Sequence, residues 1–198
     1  MAKYNNTVVN DSVPRMGNAL TRGLAQSVLN LMGWKVVGQF PKVKKLIYIG
    51  APHTSNWDMI LAITSMQAVG LRCSWMMKKQ AFFWPLGGLF KRLGGVPIDR
   101  GAKTDIIQQV ADWFDSQDKA YLGITPEGTR SKVNSYKRGY LRMAYAAKVP
   151  VFLVAIDGEN KQIVLDKTFP LTGQIHIDNA AIKDYVDATY KGIRPELS

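Results

Sequence analysis

Short apolar runs, each followed by a loop and a stretch of helical period, set the strongest limit on how this chain folds. From Lys45 the sequence reads KLIYIG, a strand-like run ending at Gly50, and Ser55 to Val69 then follow a helical pattern. RCSWMM, VPID, KAYLGIT and VPVFLVAI are further strand-like runs. Thr104 to Ser116 is the cleanest amphipathic helix, with Ile106, Ile107, Val110, Trp113 and Phe114 on one face. Gly139 to Ala147 read as another helix, late strands are expected around Ile163 to Leu165 and Gln174 to Ile177, and a final helix near Ile182 to Tyr190. Strands alternating with helices predict an α/β domain. Its sheet should be mixed and mostly parallel, covered by helices on both faces, with functional side chains in the loops that leave strand ends.

A chain of 198 residues suits a single core. We divide it into an N-terminal amphipathic helical segment, 1–40, and one structural unit, 41–198. In the first, Ser12 and Pro14 mark a helix start, and Met16, Leu20, Leu24, Val28 and Leu31 recur at helical spacing as one apolar stripe. That stripe either packs on the core or lies on acidic lipid. The first residues lack the apolar stretch of a secretory signal, and no apolar run approaches the ~18 residues of a membrane-spanning helix.

With 26 Lys and Arg against 15 Asp and Glu, the net charge of +11 favours anionic partners: phosphates, nucleic acid or acidic headgroups. Nucleic acid is set aside, because no recognised motif is present and the basic residues are spread rather than striped with stacking aromatics along one strand. The single cysteine, Cys73, cannot form an internal disulfide, and no Cys and His cluster has metal-ligand spacing. A reducing, cytoplasmic location and no metal are the expectation.

One of the two histidines stands in GAPHTSNWDM, with Asp58 five positions after His53. A neutral imidazole can take the proton of an attacking hydroxyl, and a carboxylate on its second nitrogen fixes the tautomer. Ser55 and Asp58 also have the spacing of a helix cap, and the two roles are compatible. In PEGTRS, Gly128 permits close backbone approach, Thr129 and Ser131 supply hydroxyls, and Arg130 offers a planar fork to phosphate oxygens. Glu127 is out of place beside a phosphate unless it orients Arg130 or a lysine. The alternative for this stretch is a solvated turn. Arg100 closes GGVPIDR, either for a ligand or in an ion pair with Asp105. The segment KKQAFFWPLGGLFKRLGG, aromatic and basic at once, is either a membrane contact or a helix packed on the sheet.

Taken in order, HTSNWD, GGVPIDR, PEGTRS and VPVFLV resemble the four blocks of the glycerolipid acyltransferase family, whose best-known members are the 1-acylglycerol-3-phosphate acyltransferases. The resemblance spans Gly50 to Ala155. It implies that 41–198 is an acyltransferase domain in which His53 is the general base and Asp58 orients it. It further implies that Arg100 and the loop Glu127, Gly128, Thr129, Arg130 and Ser131 bind the acceptor's phosphate, and Lys137 fits the same pattern. Three positions depart from it: Pro52 where asparagine is typical, Pro97 where phenylalanine is frequent, and Leu153 where a second proline is common. The implied donor is acyl-CoA or acyl carrier protein, a co-substrate, with no other cofactor. The implied acceptor is a phosphate-bearing lipid such as lysophosphatidic acid, acylated by direct transfer in phospholipid biosynthesis at the inner face of a membrane. Trp75, Met76, Met77 and Phe83 either line an acyl tunnel or are plain core. A thioesterase and a non-catalytic phospholipid-binding module are the alternatives.

Overall fold

A computed structural model describes residues 9–102 and 104–197. Seven strands form one sheet: β1 (Lys35–Gly38), β2 (Lys45–Ala51), β3 (Cys73–Lys78), β4 (Gly95–Ile98), β5 (Ala120–Ile124), β6 (Val151–Asp157) and β7 (Gln162–Phe169). Their order across the sheet is β1-β7-β6-β2-β5-β3-β4. Only the hairpin pair β6 and β7 is antiparallel; the other neighbours are parallel. Six helices cover it: α1 (Ala19–Leu31), α2 (Asn56–Val69), α3 (Leu86–Leu93), α4 (Ile106–Asp115), α5 (Gly139–Ala147) and α6 (Ile175–Thr189). The α/β class and the mostly parallel mixed sheet are as the sequence predicts.

Two cores lie on opposite faces of this sheet, and β2 shows why its sequence is apolar without interruption. Leu46 and Tyr48 join Leu29, Leu61 and Phe152 on one face, while Ile47 and Ile49 join Phe114, Leu141 and Val186 on the other. A parallel strand covered on both sides has no solvent face to fill with polar residues. Because β2, β5, β3 and β4 are parallel neighbours, their C-terminal ends share one edge of the sheet. His53, Glu127 and Arg100 lie in the loops just beyond that edge.

Three expectations need correction. Gln174–Ile177 is not a strand: α6 runs from Ile175. QIHI alternates like a strand, yet the buried positions Asp178, Ile182 and Val186 keep a helical period from the first turn. Asp178 anchors that turn by accepting from the Thr172 N–H and hydroxyl, at 3.1 and 2.7 Å, and from the Tyr145 hydroxyl. Second, α1 starts at Ala19 rather than near Ser12. Asn18 caps it, accepting from Thr21 N–H at 2.9 Å, while before it a turn at residues 11–12 leads into a short segment bonded to the chain after α2, with Met16 N–H bonded to Gly70 and Pro14 accepting from Arg72. Third, the stripe Leu20, Leu24, Val28 and Leu31 does not pack on the core. It faces outward, and Leu31 is 90% exposed. The seam against α2 is Ala25 and Leu29, with Gln26 donating to the Ala68 carbonyl at 2.9 Å and the Arg22 stem lying over Gly70. These polar anchors at the end of α2 set the rotation of α1. The strand β1, four residues long and absent from the sequence reading, places part of segment 1–40 inside the sheet beside β7.

Candidate active site

The chain leaves β2 through a cis Ala51–Pro52 bond and enters α2 with Ser55 at the N-cap. The Ser55 hydroxyl accepts from Trp57 N–H at 3.2 Å. Asp58, three residues on and 1% exposed, turns one oxygen, Oδ2, back over the loop. It accepts from Thr54 N–H at 2.6 Å and Ser55 N–H at 2.7 Å, and it lies 3.1 Å from His53 Nδ1. One carboxylate oxygen thus caps the helix and orients the imidazole together. With Nδ1 given to Asp58, the His53 Nε2 lone pair is left for a proton from outside. The Thr54 hydroxyl, buried, accepts from Arg194 N–H at 3.1 Å, which straps the C-terminal segment onto the same loop.

Glu127 follows β5 and is 7% exposed. Both its oxygens receive the His53 main-chain N–H, at 2.8 and 3.1 Å. Burial raises its pKa to about 7, against the His53 hydrogen bond and charge, which lower it. The partner that explains this carboxylate is therefore the histidine's own backbone, which the sequence reading did not name. The signal was there in its misfit beside a phosphate. After it the loop opens outward. Gly128 has φ of 64°, and an added Cβ would lie 2.6 Å from Lys137 Nζ, so the lysine crosses directly over a bare glycine. Thr129, Arg130, Ser131 and Lys137 are all exposed, and Ser131 N–H to Thr129 Oγ1, at 3.4 Å, is a bond within the loop.

Arg100 projects from the turn after β4 and forms no ion pair among the described residues. Asp105 is occupied as the N-cap of α4. Asp99 pairs instead with Lys79 at 3.1 Å and accepts from Gly101 N–H at 3.0 Å; those two contacts hold its carboxyl below the usual range. Gln109 on α4, also missed in the sequence, clamps the turn: its Oε1 accepts from Asp99 N–H at 2.9 Å, and its Nε2 donates to Asp99 O at 2.8 Å and Thr104 O at 2.9 Å. Arg100 shares the edge with His53 but not its immediate contacts. Three strand spacings separate β4 from β2, about 14 Å.

A family model described as acyltransferase matches residues 34–157. The chain belongs to the acyltransferase family. The crystal structure of PlsC from Thermotoga maritima, a 1-acyl-sn-glycerophosphate (LPA) acyltransferase, has a similar fold, with a TM-score of 0.58 at 18% identity over 85% of this chain and 78% of that one. No curated protein matches the sequence. As an acyltransferase-family chain, the protein presents one thiol. Burial pushes Cys73 up to about 11, against a hydrogen bond with the Tyr48 hydroxyl that lowers it, so it stays protonated near neutrality. It also begins β3, at the end of the sheet away from His53. Of the suggested acyl-tunnel residues, Trp75, Met76 and Met77 are half-buried in β3, whereas Phe83 is exposed.

Among the described residues no helix is long and apolar enough to cross a membrane. Two apolar surfaces are nonetheless uncovered. Leu20, Leu24, Val28 and Leu31 of α1 are exposed, as are Met59, Ile60 and Ile63 of α2 beside it. The second surface carries Phe83, Trp84, Leu86 and Leu89, with Trp84 91% exposed, beside the exposed Lys78, Lys79, Lys91 and Arg92.

Proposed function

We propose that the protein transfers a fatty acyl group from a thioester, acyl-CoA or acyl carrier protein, to a hydroxyl of a phosphate-bearing lipid such as lysophosphatidic acid. The observation that carries this reading is the His53 ring, bonded through Nδ1 to buried Asp58 with Nε2 free among the described residues, on the same sheet edge as the exposed Arg100 and Arg130. His53 Nε2 takes the acceptor hydroxyl proton as its oxygen attacks the thioester carbonyl. The imidazolium, stabilised by Asp58, then returns the proton to the departing thiolate sulfur, so the ester and a free thiol are the products. No covalent acyl-enzyme is needed. Arg100, Arg130, Thr129, Ser131 and Lys137 bind the acceptor's phosphate.

The exposed apolar surfaces support a peripheral attachment to a membrane. Apolar helix faces of this kind gain by entering the headgroup boundary, and each basic residue near acidic lipid adds ~1 kcal/mol. The test is an acceptor screen that follows free thiol release from acyl-CoA and from acyl carrier protein, with wild type and His53→Ala. Turnover that persists in the alanine variant would remove the mechanism. Thiol release equal with and without any acceptor would identify a thioesterase instead.

A further inference from the structure

A cleft of about 260 Å³ opens at the end of the sheet opposite His53. It lies between the starts of β3, β4 and β5 and the end of α4. Arg72, Lys91 and Lys119 line it, Trp113 and Gln117 wall it, and no acidic side chain contributes. None of the three cations forms an ion pair among the described residues. Arg72 gives a single bond to the Lys91 carbonyl, at 3.3 Å, and Lys119 donates to the Asp11 carbonyl, so their charges are not neutralised there. Nearby Asp118 is engaged by Lys44 at 2.9 Å. Ser74, 7% exposed, also lines the cleft, and its hydroxyl has no hydrogen-bond partner among the described residues. The corner beside it is bare main chain: at Gly94, φ is 112°, and an added Cβ would lie 2.2 Å from the Cys73 carbonyl oxygen.

These features select a ligand. Three unneutralised cations and the Ser74 hydroxyl call for a compact anion with several acceptor oxygens, and the guanidinium fork of Arg72 suits phosphate. Trp113 provides an apolar wall for a small organic body. The volume falls just below the ~300–1,000 Å³ of drug-sized ligand sites, too small for a whole coenzyme A or a two-chain lipid. A pairing peptide strand is disfavoured, because β4 is the edge strand and carries Pro97, which has no N–H to give. We propose that the cleft is a second anion site that binds a small soluble phosphomonoester, of the size of glycerol 3-phosphate. It shares no lining residue with the catalytic edge, its nearest approach being Pro97, three residues before Arg100.

The test is titration of the full chain with glycerol 3-phosphate, followed by calorimetry and tryptophan fluorescence. A double variant, Arg100→Gln with Arg130→Gln, removes the anion donors of the other edge. Saturable binding is expected to persist in that background, to weaken at least tenfold when Arg72→Gln and Lys119→Gln are added, and to lose its fluorescence change with Trp113→Phe. Melting curves establish that each variant is folded; should the Arg72 and Lys119 pair fail to fold, Ser74→Val carries the same expectation. Binding that disappears with Arg100 and Arg130 alone would overturn the proposal. So would binding indifferent to Arg72, Lys119 and Ser74. Binding to phosphatidic acid vesicles through Arg72 and Lys119, with none to soluble glycerol 3-phosphate, would overturn it in favour of a lipid headgroup.

Discussion

The loop after β2 and the loop after β5 leave adjacent strands at the same edge, yet they are built in opposite ways. After β2, Pro52, Thr54, Ser55 and Asp58 are buried and the loop is densely bonded: Asp58 takes two main-chain N–H groups and the His53 ring, Glu127 takes the His53 N–H, and Arg194 straps Thr54. From Gly128 to Ser131 the side chains stand in solvent. A general base must be held in place before the substrate arrives, since misplacement directly lowers the rate. Donors for a phosphate can wait in water, where an unpaired cation carries no desolvation penalty. On the function proposed above, the physical difference between the loops is the difference between positioning chemistry and capturing charge.

The comparison breaks most visibly at His53. His53→Ala is expected to lower kcat by about 10²–10⁴ with KM for the acceptor nearly unchanged, as measured by thiol release. Asp58→Ala should lower kcat too, and because the same oxygen caps α2 it should also reduce stability by about 1 kcal/mol in a denaturant titration. A rate loss without any stability loss would separate the two roles assigned to that oxygen. Arg130→Gln should behave in the opposite manner. Loss of a charged hydrogen bond of ~1.5–3 kcal/mol raises the KM for phosphate-bearing acceptors by roughly tenfold to a hundredfold, with the melting temperature unmoved. If Arg130→Gln destabilised the fold, the exposed loop would be structural after all.

Glu127 joins the two loops and makes a pH-dependent prediction. Its pKa is raised from 4.5 to about 7 by burial, so the folded chain holds a proton that the unfolded chain has already lost between those values. The stability it contributes is full below about pH 4.5 and is lost as pH rises through about 7. Glu127→Gln should flatten the fall in melting temperature over that interval, and a variant as steep as wild type would place the titration elsewhere. Residue by residue, the smallest effect is expected at the surface. Reversing Lys78, Lys79, Lys91 and Arg92 should weaken binding to anionic vesicles by about 1 kcal/mol per charge. Leu24→Ser with Leu31→Ser should weaken it on neutral vesicles as well, which distinguishes apolar from electrostatic attachment.

Much of this fold was readable where local pattern and tertiary environment agree. Leu46 to Ile49, Ala120 to Leu122 and Val151 to Ile156 are buried, on strands covered on both faces, so these stretches carry no charged side chain and the strands announce themselves. Gly139 to Ala147 form a helix with the limits read from the sequence. The capping of α2 by Ser55 and Asp58 was legible because it is local, three residues apart. What failed was set by distant partners. QIHI alternates like a strand but starts α6, since Asp178 is held by Thr172 and Tyr145. The stripe on α1 looks like a core face, but Gln26 and Arg22 reach the end of α2 and turn it outward. Gln109 carries no motif, and its part in holding the Asp99 turn exists only once α4 lies beside β4.

The sequence by itself determined the α/β alternation, the helix cap at Ser55, and the four ordered blocks that mark an acyltransferase-family chain. The first two follow from periodicity and short-range hydrogen bonding, which a linear pattern encodes; the blocks are legible by their resemblance to the family. The tertiary structure alone decided that Glu127 grips the His53 backbone, that the apolar faces of α1 and α2 remain uncovered, and that three cations meet around Ser74 at the far end of the sheet. Each of these depends on which strands become neighbours, and strand order arises from packing over the whole chain rather than from any one segment of it.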